Sequence, residues 1–252
     1  MMKKQFHTAL VTGALFFGLT SQVFAASYAD VVFVIDQSGS MAGEFSWLGN
    51  SISAIDTAIT NGGVTAKYGV AGYEASTGTD DSRNAWTDLT SDISSIVTEV
   101  NSVYTYGGTE KGYHAADWAA NNFTWTGSDY AKIMILITDE DADYASSYAY
   151  GGLTGEDALA KKMADDHILL NVITLTGLYS VWDDAVYTKD TYTGLFDLYR
   201  LRNDPSGFTT DFTTAKLQEI IDYPTDVPEP ATMLLFGVGV AGLAAVSRRR
   251  KN

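Results

Sequence analysis

Three separated segments bring oxygen ligands together in types and spacings that suit a hard divalent cation. In Asp36-Gln37-Ser38-Gly39-Ser40 a carboxylate and two hydroxyls fall on alternate residues, and Gly39 lets the backbone turn tightly between the serines. Such donors suit Mg²⁺, which takes a near-octahedral oxygen shell at about 2.0–2.1 Å, or Mn²⁺. Gly107-Gly108-Thr109-Glu110 adds a hydroxyl on a glycine-rich loop, and Ile137-Thr138-Asp139 adds a second carboxylate. Each segment alone is weak, because Ser, Asp and Gly are ordinary turn and cap residues. The run Asp139-Glu140-Asp141-Ala142-Asp143 has the alternating carboxylates of a calcium loop. It has Tyr144 and Tyr150 where an EF-hand needs Gly and Glu, which leaves a solvated acidic rim or a secondary Ca²⁺ site.

Other chemistries find little to work with. The chain has no cysteine, hence no disulfide, thiolate ligand or cysteine nucleophile. Between residues 26 and 227 there are two histidines. His114 follows Thr109 on the same expected helix, close enough in sequence to lie near a metal, and His167 is expected to pack before a buried strand. Ser38 lies in Gln-Ser-Gly-Ser rather than Gly-x-Ser-x-Gly, and neither a Walker A lysine motif nor a dinucleotide fingerprint occurs. An enzyme therefore has little to work with, although two carboxylates beside a metal could in principle activate water. Aromatics flank the three segments (Trp47, Tyr104, Tyr106, Tyr144, Tyr148 and Tyr150), either as partner anchors or as core and loop pins.

The elements that must position these residues read as alternating buried strands and helices. Val31–Ile35 is a short β-branched apolar run, so a buried strand delivering Asp36 at its end. Leu48, Ile52, Ile55 and Ile59 share one helical face, and Asn61-Gly62-Gly63 ends that helix. Further strands are expected at Ala66–Tyr73, Ala85–Leu89, Lys132–Ile137, Ile168–Leu175 and Phe208–Phe212. Helices are expected at Ser91–Val100, Glu110–Asn121, from Thr154 to about Asp166 with Thr154 and Asp157 as a capping box, around Leu195, Leu198 and Leu201, and at Thr213–Asp222. This order predicts an α/β fold: a doubly wound, mainly parallel six-stranded sheet flanked by helices, with ligands outside the carboxyl ends of the strands.

With all three segments at strand ends or helix starts, residues 29–223 resemble a von Willebrand factor A-type (vWA) domain, a Rossmann-like fold. Asp36, Ser38, Ser40, Thr109 and Asp139 match the family's metal-ion-dependent adhesion site (MIDAS). The resemblance implies that Ser38 and Ser40 bind the metal directly and that Thr109 joins directly or through water. It also implies that Asp36 and Asp139 act largely through water, and that an acidic group of a protein or matrix partner completes the shell. The rival expectation is a structural matrix protein whose metal only stabilises the fold. A metal-dependent hydrolase stands a distant third.

The two ends read as addresses. Residues 1–25 combine Lys3 and Lys4, the apolar run Ala9–Leu19 and small residues before Ala26, as a secretory signal does. At the other end, Pro228-Glu229-Pro230 precedes the apolar run Ala231–Val246 and then Arg248-Arg249-Arg250-Lys251. A helix over that run rises about 24 Å, short of a ~30 Å hydrocarbon core, and the basic cluster would stay cytoplasmic. Residues 227–252 resemble the PEP-CTERM sorting signal of Gram-negative bacteria that make exopolysaccharide. The resemblance implies transient anchoring in the inner membrane, recognition by an exosortase and delivery to the cell surface or extracellular matrix of a biofilm. A plain tail anchor is the alternative. The whole chain has a formal charge of −15, and residues 26–227 hold 30 acidic against 10 basic side chains. That excludes nucleic acid as a partner, favours solubility and attracts cations.

Overall fold

The apolar run Val31–Ile35 is the middle of a longer strand, β1 (Ser27–Asp36), in which every residue from Ala29 onward is buried. A computed structural model describes residues 27–73, 86–108, 110–188 and 192–223. The expected N-terminal signal, Thr109 and the tail with Pro228, Glu229, Pro230, Arg248, Arg249 and Arg250 lie outside the described residues.

After β1 come α1 (Ala42–Asn61), β2 (Val64–Tyr73), β3 (Trp86–Thr90), α2 (Ile93–Ser102), α3 (Gly112–Asn122) and β4 (Tyr130–Ile137). A two-stranded hairpin, β5 (Ala149–Tyr150) and β6 (Leu153–Thr154), leads to α4 (Gly155–Asp165) and β7 (Ile168–Thr174). The chain then forms α5 (Tyr179–Trp182), β8 (Leu195–Asp197), α6 (Leu198–Asn203) and α7 (Pro205–Ile221). The main sheet has six strands in the order β3-β2-β1-β4-β7-β8, all parallel except the β2–β3 pair.

Two hydrophobic cores cover the two faces, as a parallel sheet requires. Val31, Phe33 and Ile35 of β1 point to one face, where α1, α2, α6 and α7 pack. Val32 and Val34 point to the other, with α3, α4 and Trp182 of α5. The chain winds outward from β1 in one direction and from β4 in the other, so the switch point lies between these strands. Their carboxyl ends carry Asp36 and Thr138-Asp139.

Four local expectations are corrected. Phe208–Phe212 is the first half of α7, not a strand. The four-residue spacing stacks the two rings 5.7 Å apart on one helix face, while Asp204 caps Gly207 N and Pro205 starts the helix. The β-propensity of Phe and Thr is overridden by that cap and stack. Leu195 belongs to β8, while Leu198 and Leu201 lie in α6. Thr154 precedes α4 but makes no side-chain cap bond. His167 is exposed, with a φ of 55° in the left-handed turn between α4 and β7, so it does not pack in the core.

Candidate metal centre

Asp36 is fully buried at the end of β1. Its Oδ1 accepts a hydrogen bond from Ser38 N at 2.7 Å, and its Oδ2 accepts one from Thr138 Oγ1 at 2.9 Å. One carboxylate thus shapes the serine loop and ties it to the end of β4. Ser38 Oγ and Ser40 Oγ lie 3.2 Å apart, and Ser40 Oγ donates to Asp139 Oδ1 at 2.9 Å. Four of the five sequence-derived ligands (Asp36, Ser38, Ser40 and Asp139) therefore converge across the β1–β4 switch point. The fifth, Thr109, lies outside the described residues; its two flanking segments are tied to Gln37, just past β1, and to Asp143, in the acidic run after β4. Tyr106 N donates to Gln37 O at 2.7 Å, and Asp143 N donates to Glu110 O at 2.8 Å.

Negative charge is concentrated around this cluster. Burial pushes the Asp36 carboxyl up to about 6, against the hydrogen bonds from Ser38 and Thr138, and Asp139 repels it further. Burial also pushes Glu110 up to about 7, aided by the charges of Asp36, Glu140, Asp143 and Asp139. Two adjacent hydroxyls backed by two carboxylates fit a hard divalent ion such as Mg²⁺ or Mn²⁺, which would relieve both shifts. When bound, the ion would supply a Lewis-acidic point able to accept an outside oxygen ligand. Ser38 and Ser40 would hold it, and Asp36 and Asp139 would orient those hydroxyls.

The acidic run after Asp139 disperses. Glu140 and Asp141 are exposed, and Asp143 Oδ2 accepts from Glu110 N at 3.2 Å. That geometry makes an acidic rim and a loop tie of the run. Among the described residues, the three carboxylates that converge within 4.8 Å of one another are Glu156, Asp183 and Asp184. The aromatics divide. Trp47 is buried and donates to Thr209 Oγ1 at 2.9 Å, and Tyr148 is buried against His114 and Tyr113. Tyr104 is 67% exposed and stacks on Tyr106 at 5.0 Å, and Tyr144 is exposed under Lys111. His114 sets its ring edge-on to Tyr148 at 5.4 Å.

Sequence reasoning missed two charged residues of the site. Glu44 in the first turn of α1 and Arg202 at the end of α6 form an ion pair at 2.7 Å, and Arg202 also reaches Asp139 Oδ2 at 2.8 Å. The available signal was the rarity of arginine in this chain, with three between residues 26 and 227. Gly112 is a packing requirement of the same region. A Cβ there would lie 2.5 Å from Trp182 Cη2 and 3.3 Å from the Tyr73 hydroxyl, at the start of the helix that follows the Thr109 loop. Gly112→Ala is expected to destabilise by on the order of 1 kcal/mol, read as a shifted urea midpoint. An unchanged midpoint would show that Trp182 can move aside.

Among the described residues no helix is long and apolar enough to cross a membrane. No curated relative matches the chain in sequence. Solved structures share its fold at low identity. Proximal thread matrix protein 1 from the mussel byssus, with a zinc-occupied MIDAS motif, aligns at a TM-score of 0.55 and 16% identity, over 76% of this chain and 46% of that one. The pilus adhesin SpaC from Lactobacillus rhamnosus GG aligns at 0.51 and 16%, over 77% of this chain and 30% of that one. The chain thus spans less than half the length of either neighbour. The PEP-CTERM protein-sorting motif model matches residues 226–251. The von Willebrand factor type A domain model matches residues 30–188, well over half the sequence, and so the chain belongs to the von Willebrand factor type A domain family.

Proposed function

We propose that the protein is an exported binding module of the cell surface or extracellular matrix, which captures a carboxylate-bearing protein or matrix partner through a divalent ion. Ser38, Ser40 and Thr109 hold the ion, and Asp36 and Asp139 support it from behind. The observation that carries this reading is the convergence of Asp36, Ser38, Ser40 and Asp139 at one switch point. Hydroxyl ligands leave most of the ion's charge unneutralised, so an acidic group from outside has a reason to bind. The adhesin and matrix protein among the structural neighbours, one with zinc at this motif, support the same reading. The role is binding rather than catalysis. Of the two histidines in the described residues, His114 sets its ring against Tyr148, and His167 precedes β7, at the end of the parallel strands opposite to Ser38.

The sorting motif supports export by a Gram-negative bacterium, with exosortase recognising Pro228-Glu229-Pro230 while the apolar run and Arg248, Arg249 and Arg250 hold the chain in the inner membrane. Mass spectrometry of protein from the native envelope is expected to find residues 231–252 missing; an intact C-terminus would leave a plain tail anchor. The binding reading is tested by capture from an extracellular matrix fraction in Mg²⁺ and in chelator, with free glutamate as competitor. Capture that is lost in chelator and reduced by glutamate is expected. Capture indifferent to both would leave a matrix protein whose metal only stabilises the fold.

A further inference from the structure

One guanidinium touches three parts of the metal centre. Arg202 Nε donates to Glu44 Oε1 at 2.7 Å, and its Nη2 donates to Asp139 Oδ2 at 2.8 Å while lying 3.4 Å from the Ser40 carbonyl oxygen. It thereby joins α6 to the first turn of α1, the serine loop and the end of β4. Its side chain is 32% exposed, whereas that of Glu44 is 1% exposed, so the contact is partly shielded from water. The other Asp139 oxygen accepts from Ser40 Oγ at 2.9 Å. Both oxygens of Asp139 are therefore engaged by the chain itself.

That arrangement bears on the ion's charge. A carboxylate free to swing would replace a water or hydroxyl in a divalent ion's shell, because an anionic oxygen binds a hard cation more strongly. The ion would then be partly neutralised from within and would attract an outside carboxylate less. A guanidinium is always charged, and its planar fork matches a carboxylate, so it can hold Asp139 in place where a flexible lysine would hold it less well. We propose that Arg202 is a positioning residue that keeps Asp139 out of the ion's own ligand shell and so leaves the ion's charge available to a carboxylate on the partner. The proposal rests on the metal-dependent reading above and names what sets its preference for acidic partners.

The consequence has opposite signs for metal and partner. Without Arg202, a nearby positive charge is gone and Asp139 is free to move, so the metal binds tighter while the carboxylate partner binds weaker. A merely structural arginine would weaken both. The test uses the full chain with Mn²⁺ as the probe. Free Mn²⁺ is followed by electron paramagnetic resonance, exchangeable waters on bound Mn²⁺ are counted by water-proton relaxation, and glutamate serves as the carboxylate. Arg202→Met is expected to bind Mn²⁺ on the order of tenfold tighter, with fewer exchangeable waters and weaker glutamate binding. Arg202→Lys is expected to fall between it and the unmodified protein. Arg202→Met leaves Glu44 buried without its cation, and Glu44 Oε2 already lacks a hydrogen-bond partner. The double variant Glu44→Gln/Arg202→Met removes that charge and should show the same signs. Mn²⁺ affinity and hydration unchanged, or affinity weakened, in both variants would overturn the role of Arg202 alone. An unmodified protein that binds no Mn²⁺ would instead overturn the metal-dependent reading and this proposal with it.

Discussion

Asp36→Asn is expected to make the metal-free protein more stable at neutral pH and to erase its response to Mg²⁺ or Mn²⁺. Asp36 is fully buried, and that burial holds its carboxyl at about 6, compared with 3.8 for the free side chain. The difference corresponds to roughly 3 kcal/mol against ionisation in the folded state, at 1.36 kcal/mol per pH unit. Asparagine has the same shape, can still accept from Ser38 N and carries no charge, so much of that cost disappears. It also removes the negative charge that would help hold a cation beside Ser38 and Ser40. A cation that binds only the native state stabilises it by ~2.7 kcal/mol at a hundredfold excess over its dissociation constant. Calorimetric melts in chelator and in Mg²⁺ would check both signs. A variant that melts lower in chelator, or still gains stability from Mg²⁺, would remove Asp36 from the metal site.

The metal-free protein should lose stability as pH rises from about 4 to about 7, and added Mg²⁺ should contribute more at the upper end. Asp36 titrates at about 6 and Glu110 at about 7 in the folded state, both above their ordinary values. Between the unfolded and folded pKa values the native state binds more protons, so the slope of unfolding free energy with pH is negative. Stability from this source is therefore full below about pH 4 and is lost as pH climbs through 6 and 7. Carboxylates whose pKa is lowered, such as Asp88 and Asp165, act with the opposite sign, but below pH 4. A divalent ion competes with those protons, so its stabilisation grows as they leave. Melts at pH 5, 6, 7 and 8, with Mg²⁺ and with chelator, would show two curves diverging upward in pH. Parallel curves would mean that the ion does not reach Asp36 and Glu110.

Much of the candidate site was legible because its candidate residues are local to strand ends. A β-branched run such as Val31–Ile35 has few alternatives to a buried strand, so the residue after it must emerge at a sheet edge. Asp36 and Asp139 are both placed by that rule, and the spacing of Ser38 and Ser40 needs only a tight turn. The same logic explains a miss. Phe208 and Phe212 read as a strand because Phe and Thr favour sheets. Their stacking on one helix face instead depends on Asp204 capping and on a core supplied by β1, α1 and β8.

By itself, the sequence determined which residue types stand at strand ends, the winding of an α/β chain and the sorting motif of the tail. These follow from short-range patterns: alternating hydrophobic runs, glycine at turns, and the ordered charge and apolar blocks of the tail. Only the tertiary structure decided that Thr138 buttresses Asp36 from 102 residues away, and that Arg202 links Glu44 and Asp139 across separations of 158 and 63 residues. No local pattern encodes those contacts. They arise because sheet order sets β4 beside β1, and because α6 packs with α1 on one face of the sheet. A charge finds its partner there through packing of distant segments, not through spacing along the chain.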